Sequence, residues 1–259
     1  MGTENRNKLK NLIQAWPPGV VATYPWLKKY HVYQELTARY LKSGWIERIG
    51  TGAFQRAGDK IDWPGVVFTL QEHLKLTVHI GARSAIELRG FSHFVRFKNQ
   101  VTLYGEPNTK LPKWCLKINF QTTQLKFITA HLFKNNDTAL SKYQIHGFDL
   151  TISPLERAIL ELLWQVPQKY SYTEAAYIME NLTTLRPNVV QTLLEQCRSI
   201  KAKRLFLHLA TKCNHSWLKK VNLEKVDLGS GPRKIDNGSC FDKTYQLYVP
   251  ESQLNEGQE

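Results

Sequence analysis

The order of elements in the first 56 residues constrains this chain's fold more than any other feature. Residues 4–16, ENRNKLKNLIQAW, place Leu9, Leu12, Ile13 and Trp16 at i, i+3, i+4 and i+7, one apolar face of a helix. Thr3 is placed to cap its start, and Pro17-Pro18-Gly19 stops it. Thr23 opens a short second helix over 24–30, with Pro25 in its first turn. After a tight break near His31, Val32, Leu36 and Tyr40 recur at i, i+4 and i+8, Leu41 widens that face, and Gly44 ends the helix. WIERI, GTG and AFQR over 45–56 read as a β-hairpin, whose Trp45, Ile49 and Phe54 are expected to close onto the helices. Helix, short helix, tight turn, helix and hairpin in under 60 residues is the order of a winged helix-turn-helix. A small helical cap with a hairpin, packed on a larger domain, has the same local pattern.

Charge bears on the choice without deciding it. The 259 residues carry 35 Lys and Arg against 22 Asp and Glu, a net charge of +13. Residues 1–56 alone hold nine basic and three acidic groups, whereas 151–259 hold 14 and 12, so the excess sits at one end. A compact basic module is the electrostatic footprint of a nucleic-acid binder, and equally of a solvated basic surface.

Gly58-Asp59-Lys60 and Trp63-Pro64-Gly65 mark a boundary, which divides the chain into a winged-helix domain at 1–60, a larger domain at 61–250 and a polar tail at 251–259. In the second domain, 66–76 and 83–88 read as helices and TVHIGA as a short strand and turn. Strand-like runs follow at 93–97, 101–105, 115–120, 126–133 and 147–153. Ser153-Pro154-x-Glu156 reads as a capping box opening a helix that buries Leu155, Ile159, Leu162 and Leu163. Residues 172–182 and 187–199 add two helices, 204–211 fits a strand or a helix, and 243–249 alternates as a strand. The class is α+β: an N-terminal winged helix-turn-helix, then a mixed α/β domain with a helical layer.

Several chemistries are disfavoured. No apolar run is long enough to span a membrane, no signal peptide is read, and four widely spaced cysteines suit a cytoplasmic protein with reduced thiols. No Walker A loop, GxGxxG, GxSxG or HExxH occurs. Neither Gly229-Ser230 nor Gly238-Ser239 is followed by the Asp-x-Asp pair a nucleotidyltransferase needs to clamp Mg²⁺ on a triphosphate. Cys213, His215 and Cys240 lack the spacing of a zinc site. The turn Gly229-Ser230-Gly231 suits either a phosphate or a plain connection, and the cluster Arg198, Lys201, Lys203 and Arg204 suits either a binding patch or dipole-complementing charge. No catalytic residue, metal or cofactor is expected.

Four blocks in order carry a resemblance: TYPWLKKYHVYQELTARYLKSGWIERIGTGAFQR, LTVHIGARSAIELRGFSHFV, SPLERAILELL and DLGSGPRKIDNGSCFDKTYQLYVP. Over most of residues 3–250 the chain resembles the AbiEi-type antitoxins of bacterial type IV toxin–antitoxin and abortive-infection systems. The resemblance implies a winged helix that binds inverted repeats in double-stranded operator DNA to repress its own operon. It also implies a C-terminal region that counteracts a cognate AbiEii-like nucleotidyltransferase toxin. On this chain the implied base-reading positions are Tyr33, Gln34, Thr37 and Arg39, with Lys28, Lys29 and Lys42 on phosphates and Arg48 and Arg56 on the wing. Tyr33 stands where such motifs usually carry a small polar residue. Arg204, Gly229, Ser230, Gly231 and Arg233 are the candidates for antitoxicity, because an exposed turn beside a guanidinium suits a carboxylate or phosphate. Two other readings stay open: a winged-helix regulator with a ligand-sensing C-terminal domain, and a nuclease or transferase that uses the winged helix for targeting.

Overall fold

The computed structural model describes residues 3–91 and 99–251. The expected strand 93–97 and the tail after Glu251 lie outside the described residues. The fold is α+β and opens with a winged helix-turn-helix. Helix α1 (Thr3–Ala15) begins at Thr3 itself, followed by β1 (Ala22–Thr23), α2 (Tyr24–Lys29), α3 (Gln34–Lys42), β2 (Ile46–Gly50) and β3 (Ala53–Arg56). The three strands form an antiparallel sheet in the order β1-β3-β2.

The expected apolar face packs here. Leu9, Leu12, Trp16, Leu27, Val32, Tyr40, Ile46 and Phe54 share one core. Trp16 is fixed twice: its indole Nε1 donates to the Val20 carbonyl at 2.8 Å, and its ring meets Trp26 edge-on at 5.4 Å. Ile49 is half-buried, and Trp45 departs from expectation at 50% exposed. Ile46, next in sequence, is the residue of β2 that is buried.

Residues 58–65 are not a free hinge. Asp62 caps α4 (Trp63–Phe68), accepting from the Trp63 N–H at 2.7 Å, and α4 continues into a π-helical turn, Thr69–His73. That turn is locked to the winged helix. The Thr69 hydroxyl accepts from the Val21 N–H at 3.1 Å and lies 2.9 Å from the Val21 carbonyl, and His73 stacks on Trp26 at 4.9 Å.

Strand β4 (Val78–Ile80), α5 (Ala82–Leu88), β5 (Asn99–Gly105), β6 (Thr123–Thr129), β7 (Ser141–Ile145) and β8 (Phe148–Ile152) follow. The five strands make one sheet in the order β6-β5-β4-β8-β7, with β5/β6 and β4/β8 parallel. Because β5 and β6 are parallel neighbours, the chain between them must run back across the sheet. Residues 115–120, expected as a strand, are spent on that return as a turn and an irregular stretch. Gln71 ties the π turn to the sheet, donating to Val78 O and Thr151 O at 3.0 and 3.1 Å and accepting from the Thr151 N–H.

The helical layer is α6 (Leu155–Trp164), α7 (Tyr172–Glu180), α8 (Pro187–Gln196) and α9 (Ile200–Lys212), so 204–211 is helical. The expected capping box is not formed: Pro154 holds the cap position, and Leu155 is only half-buried. The Ser153 hydroxyl instead reaches the buried Glu161 carboxylate, which also accepts from Arg157 Nε at 2.8 Å and the Ala82 N–H at 2.9 Å. Glu156 accepts a bidentate pair from Arg186. Both carboxylates are buried, and a buried carboxylate claims the donors within reach before a helix start does. Strands β9 (Arg233–Lys234), β10 (Cys240–Asp242) and β11 (Leu247–Val249) close the chain as a small sheet in the order β10-β11-β9.

The described chain forms two compact units, interleaved in sequence. One comprises residues 1–79, 96–129 and 142–151, and the other 80–95, 130–141 and 152–259.

Candidate nucleic-acid interface

The helix-turn-helix turn is tight because His31 takes a left-handed conformation, φ 58°, and the His31 and Val32 N–H groups return to Lys28 O and Leu27 O at 3.0 and 3.1 Å. Val32 then drops into the core, and Tyr33 heads α3 as its N-cap, 55% exposed. On α3 the helical period separates two faces. Thr37 and Tyr40 are buried and Leu36 and Leu41 half-buried, while Gln34, Glu35, Ala38, Arg39 and Lys42 are exposed.

Seven of the nine residues expected at DNA are therefore exposed: Lys28, Lys29, Tyr33, Gln34, Arg39, Lys42 and Arg48. Thr37 is not among them. It is 1% exposed, and its hydroxyl donates to Tyr33 O at 2.9 Å, four residues back. It lies one position from Leu36, on the inward side of the helix, and serves the turn rather than a base edge. Arg56 is half-buried and already paired, its guanidinium forking onto Asp59 at 2.9 and 3.1 Å. Arg48 lies over the ring of Phe54, the residue opposite it on β3, at 5.7 Å.

The wing has a support invisible in the sequence. A Cβ added at Gly50 would sit 2.5 Å from Trp114 Cβ, so the last residue of β2 rests directly on the β5–β6 return. Only glycine permits that approach. Near the head of α3 lies a groove of about 510 Å³. Lys28, Tyr33, Gln34 and Arg39 line it, together with His31, Leu36 and two residues the sequence reading did not single out, Lys8 and Glu35. Lys8 lies on the polar side of α1, but no periodicity tells which other element that side faces.

The C-terminal candidates come together in space, though not as an exposed guanidinium beside an open turn. Arg204, on α9, is 2% exposed. It donates inward to the carbonyls of Leu228 at 2.7 Å, Gly229 at 3.0 Å, Gly231 at 2.6 Å and Gln246 at 3.1 Å. The Gly229–Gly231 turn thus points carbonyls at a cation, and its left-handed Gly229, φ 60°, is part of that curl. Arg233 is exposed and leans on its own turn, its Nη1 3.1 Å from Pro232 O. Ser230 is exposed. Of the basic cluster near 198–204, Lys201 donates to Trp164 O at 2.9 Å and to Val166 O, and burial lowers the ammonium pKa of Lys203. Among the described residues no three His, Cys, Asp or Glu side chains gather as a metal site. The four cysteines are free thiols. No helix among the described residues is long and apolar enough to cross a membrane.

Comparison with known proteins agrees with this architecture. No curated protein sequence matches the chain. The crystal structure of RV2827C protein from Mycobacterium tuberculosis has a similar fold, with a TM-score of 0.61 over 95% of this chain and 91% of that one, at 15% identity. Residues 5–97 match the family described as transcriptional regulator, AbiEi antitoxin N-terminal domain. Residues 98–250 match the one described as transcriptional regulator, AbiEi antitoxin, type IV toxin–antitoxin system. With nearly its whole length so matched, the chain belongs to the AbiEi antitoxins, transcriptional regulators of type IV toxin–antitoxin systems.

Proposed function

We propose that this chain represses its own operon by binding inverted repeats in double-stranded operator DNA, and that it counteracts a nucleotidyltransferase-type toxin. In this reading residues 1–60 supply DNA recognition, residues 61–250 supply antitoxicity, and neither part is catalytic. The observation that carries it is the exposed face of α3, which presents Gln34, Arg39 and Lys42 behind Tyr33, together with the exposed Lys28 and Lys29 on α2. Gln and Arg are the side chains that pair two-pronged with adenine and guanine edges. Lys28, Lys29 and Lys42 suit phosphates, and Arg48 suits the backbone beside the wing. One such module reads a short half-site, so operator affinity requires two copies on the repeat. For antitoxicity the exposed candidates are Ser230 and Arg233, with Arg204, Gly229 and Gly231 shaping the turn that presents them.

A gel-shift series on the operator and on a scrambled duplex tests the DNA reading. Gln34→Ala and Arg39→Ala should each reduce the preference for operator by about 1–3 kcal/mol. Equal preference in wild type and the double variant would sink it. Growth rescue of cells expressing the cognate toxin, by wild type and by Arg233→Ala, tests the second half.

A further inference from the structure

We propose that α1 belongs to the DNA interface, with Lys8 as a phosphate contact in the groove it shares with Lys28 and Arg39. The proposal rests on the operator-binding reading above.

By its apolar pattern α1 is a core helix, and Leu9, Leu12 and Trp16 do pack inward. Its other side carries two lysines with different placements. Lys8 is half-buried and lines the groove, whereas Lys10 is exposed and does not. Lys8 from α1, Lys28 from α2 and Arg39 from α3 therefore converge on one concavity, with the carboxylate of Glu35 also on its lining. Cations focused by a concave wall raise the local potential more than the same charges spread over a flat face. The groove's volume of about 510 Å³ and the three cationic side chains on its walls suit a stretch of sugar–phosphate chain. Just past the end of α1, the Trp16–Val20 hydrogen bond and the Trp16–Trp26 contact hold its C-terminal end against α2. A lysine so placed recognises phosphate as a point charge and carries no sequence information. The groove lies next to Tyr33 and Gln34, so it continues the base-reading face.

The test uses full-length protein and a labelled duplex carrying the inverted repeat, with a scrambled duplex beside it, over a salt series. Lys8→Gln should weaken binding to both duplexes several-fold near about 0.1 M salt, leave their ratio unchanged, and lower the slope of log affinity against log salt by about 0.9 per protomer. Lys8→Arg should restore the slope. Lys10→Gln removes the same charge from the same helix outside the groove, and should leave the slope as in wild type. An unchanged slope in Lys8→Gln, or an equal loss in Lys10→Gln, overturns the proposal. Should Lys8→Gln melt early by circular dichroism, wild-type protein decides the matter. Bound duplex should shield Lys8 from acetylation by an amine-reactive reagent, and acetylation at the unbound rate overturns the proposal. If Arg39→Ala loses operator preference while Lys8→Gln keeps the wild-type slope, only this inference fails. If Arg39→Ala changes nothing either, the operator-binding reading fails with it.

Discussion

His73 couples the folded state of this protein to acid. Its ring is half-buried and stacks on Trp26 of the short helix α2. Burial lowers its pKa from 6.5 to about 4; the Val21 backbone pulls the other way, and Lys29 adds to the lowering. The unfolded chain therefore binds a proton that the native chain refuses between pH 6.5 and about 4. Stability rises with pH across that window and falls as the solution is acidified through it. At about 1.4 kcal/mol per unit the full window is worth about 3 kcal/mol, and on the order of 2 once the ring's partial exposure is discounted. His73→Phe keeps the ring and removes the titration. Urea denaturation at about pH 7 and about pH 4.5 should show the wild type losing roughly 1–2 kcal/mol more than His73→Phe between the two. The neighbouring Glu72, held down from 4.5 to about 2 by Lys142 and Lys75, loses its own contribution between those values, so it overlaps only the acid end of the window. Identical pH dependence in the two proteins would refute the assignment.

Two further outcomes follow from contacts already described. Gly50→Val must push Trp114 or the wing aside, so it should cost about 1–3 kcal/mol in a thermal melt and weaken operator binding in a gel shift at a temperature where the protein is still folded. Arg204→Leu strands four carbonyls and should cost ~3 kcal/mol or more by chemical denaturation, whereas Arg233→Ala, at an exposed guanidinium, should change stability by less than about 0.5 kcal/mol.

The winged helix is legible in the sequence because each of its helices carries a one-sided apolar pattern and each break is marked by Pro, Gly or a short polar turn. The same periodicity sorts Gln34, Arg39 and Lys42 outward. It also puts Thr37 beside Leu36 and Tyr40, so its burial is a consequence of the pattern that named it. What escapes is whatever depends on long-range company. CLKINF has a strand's composition, but its place between two parallel neighbours makes it a return path. SPLE has a helix cap's composition, but Ser153 and Glu156 answer instead to Glu161 and Arg186. Strand β7 has no run of apolar alternation, since among its five residues only Ile145 is buried. Arg204 reads as surface charge until the carbonyls of the turn 228–231, well over twenty residues later, close around it. Lys8 and Trp114 are of the same kind: their local sequence names a helix side and a turn, and only the fold says what they face.

The interleaving of the two units has a consequence for synthesis at the ribosome. By the time residue 79 has emerged, the chain has delivered every buried residue of the winged-helix core, all within the first 54 residues, together with α4 and the π turn; Phe148, which packs against that core, follows later. Its remaining share of the same unit, the strands β5 to β8, arrives only as elongation proceeds to residue 151. Strand β4 is thus exported early with both edges bare, waiting for β5 on one side and β8 on the other. Non-local parallel pairing of this kind is slow, and an unpaired central strand is a site for wrong partners. The nascent protein has its helix-turn-helix core in hand well before its central sheet can close, and β4 is the segment most in need of shelter during that interval.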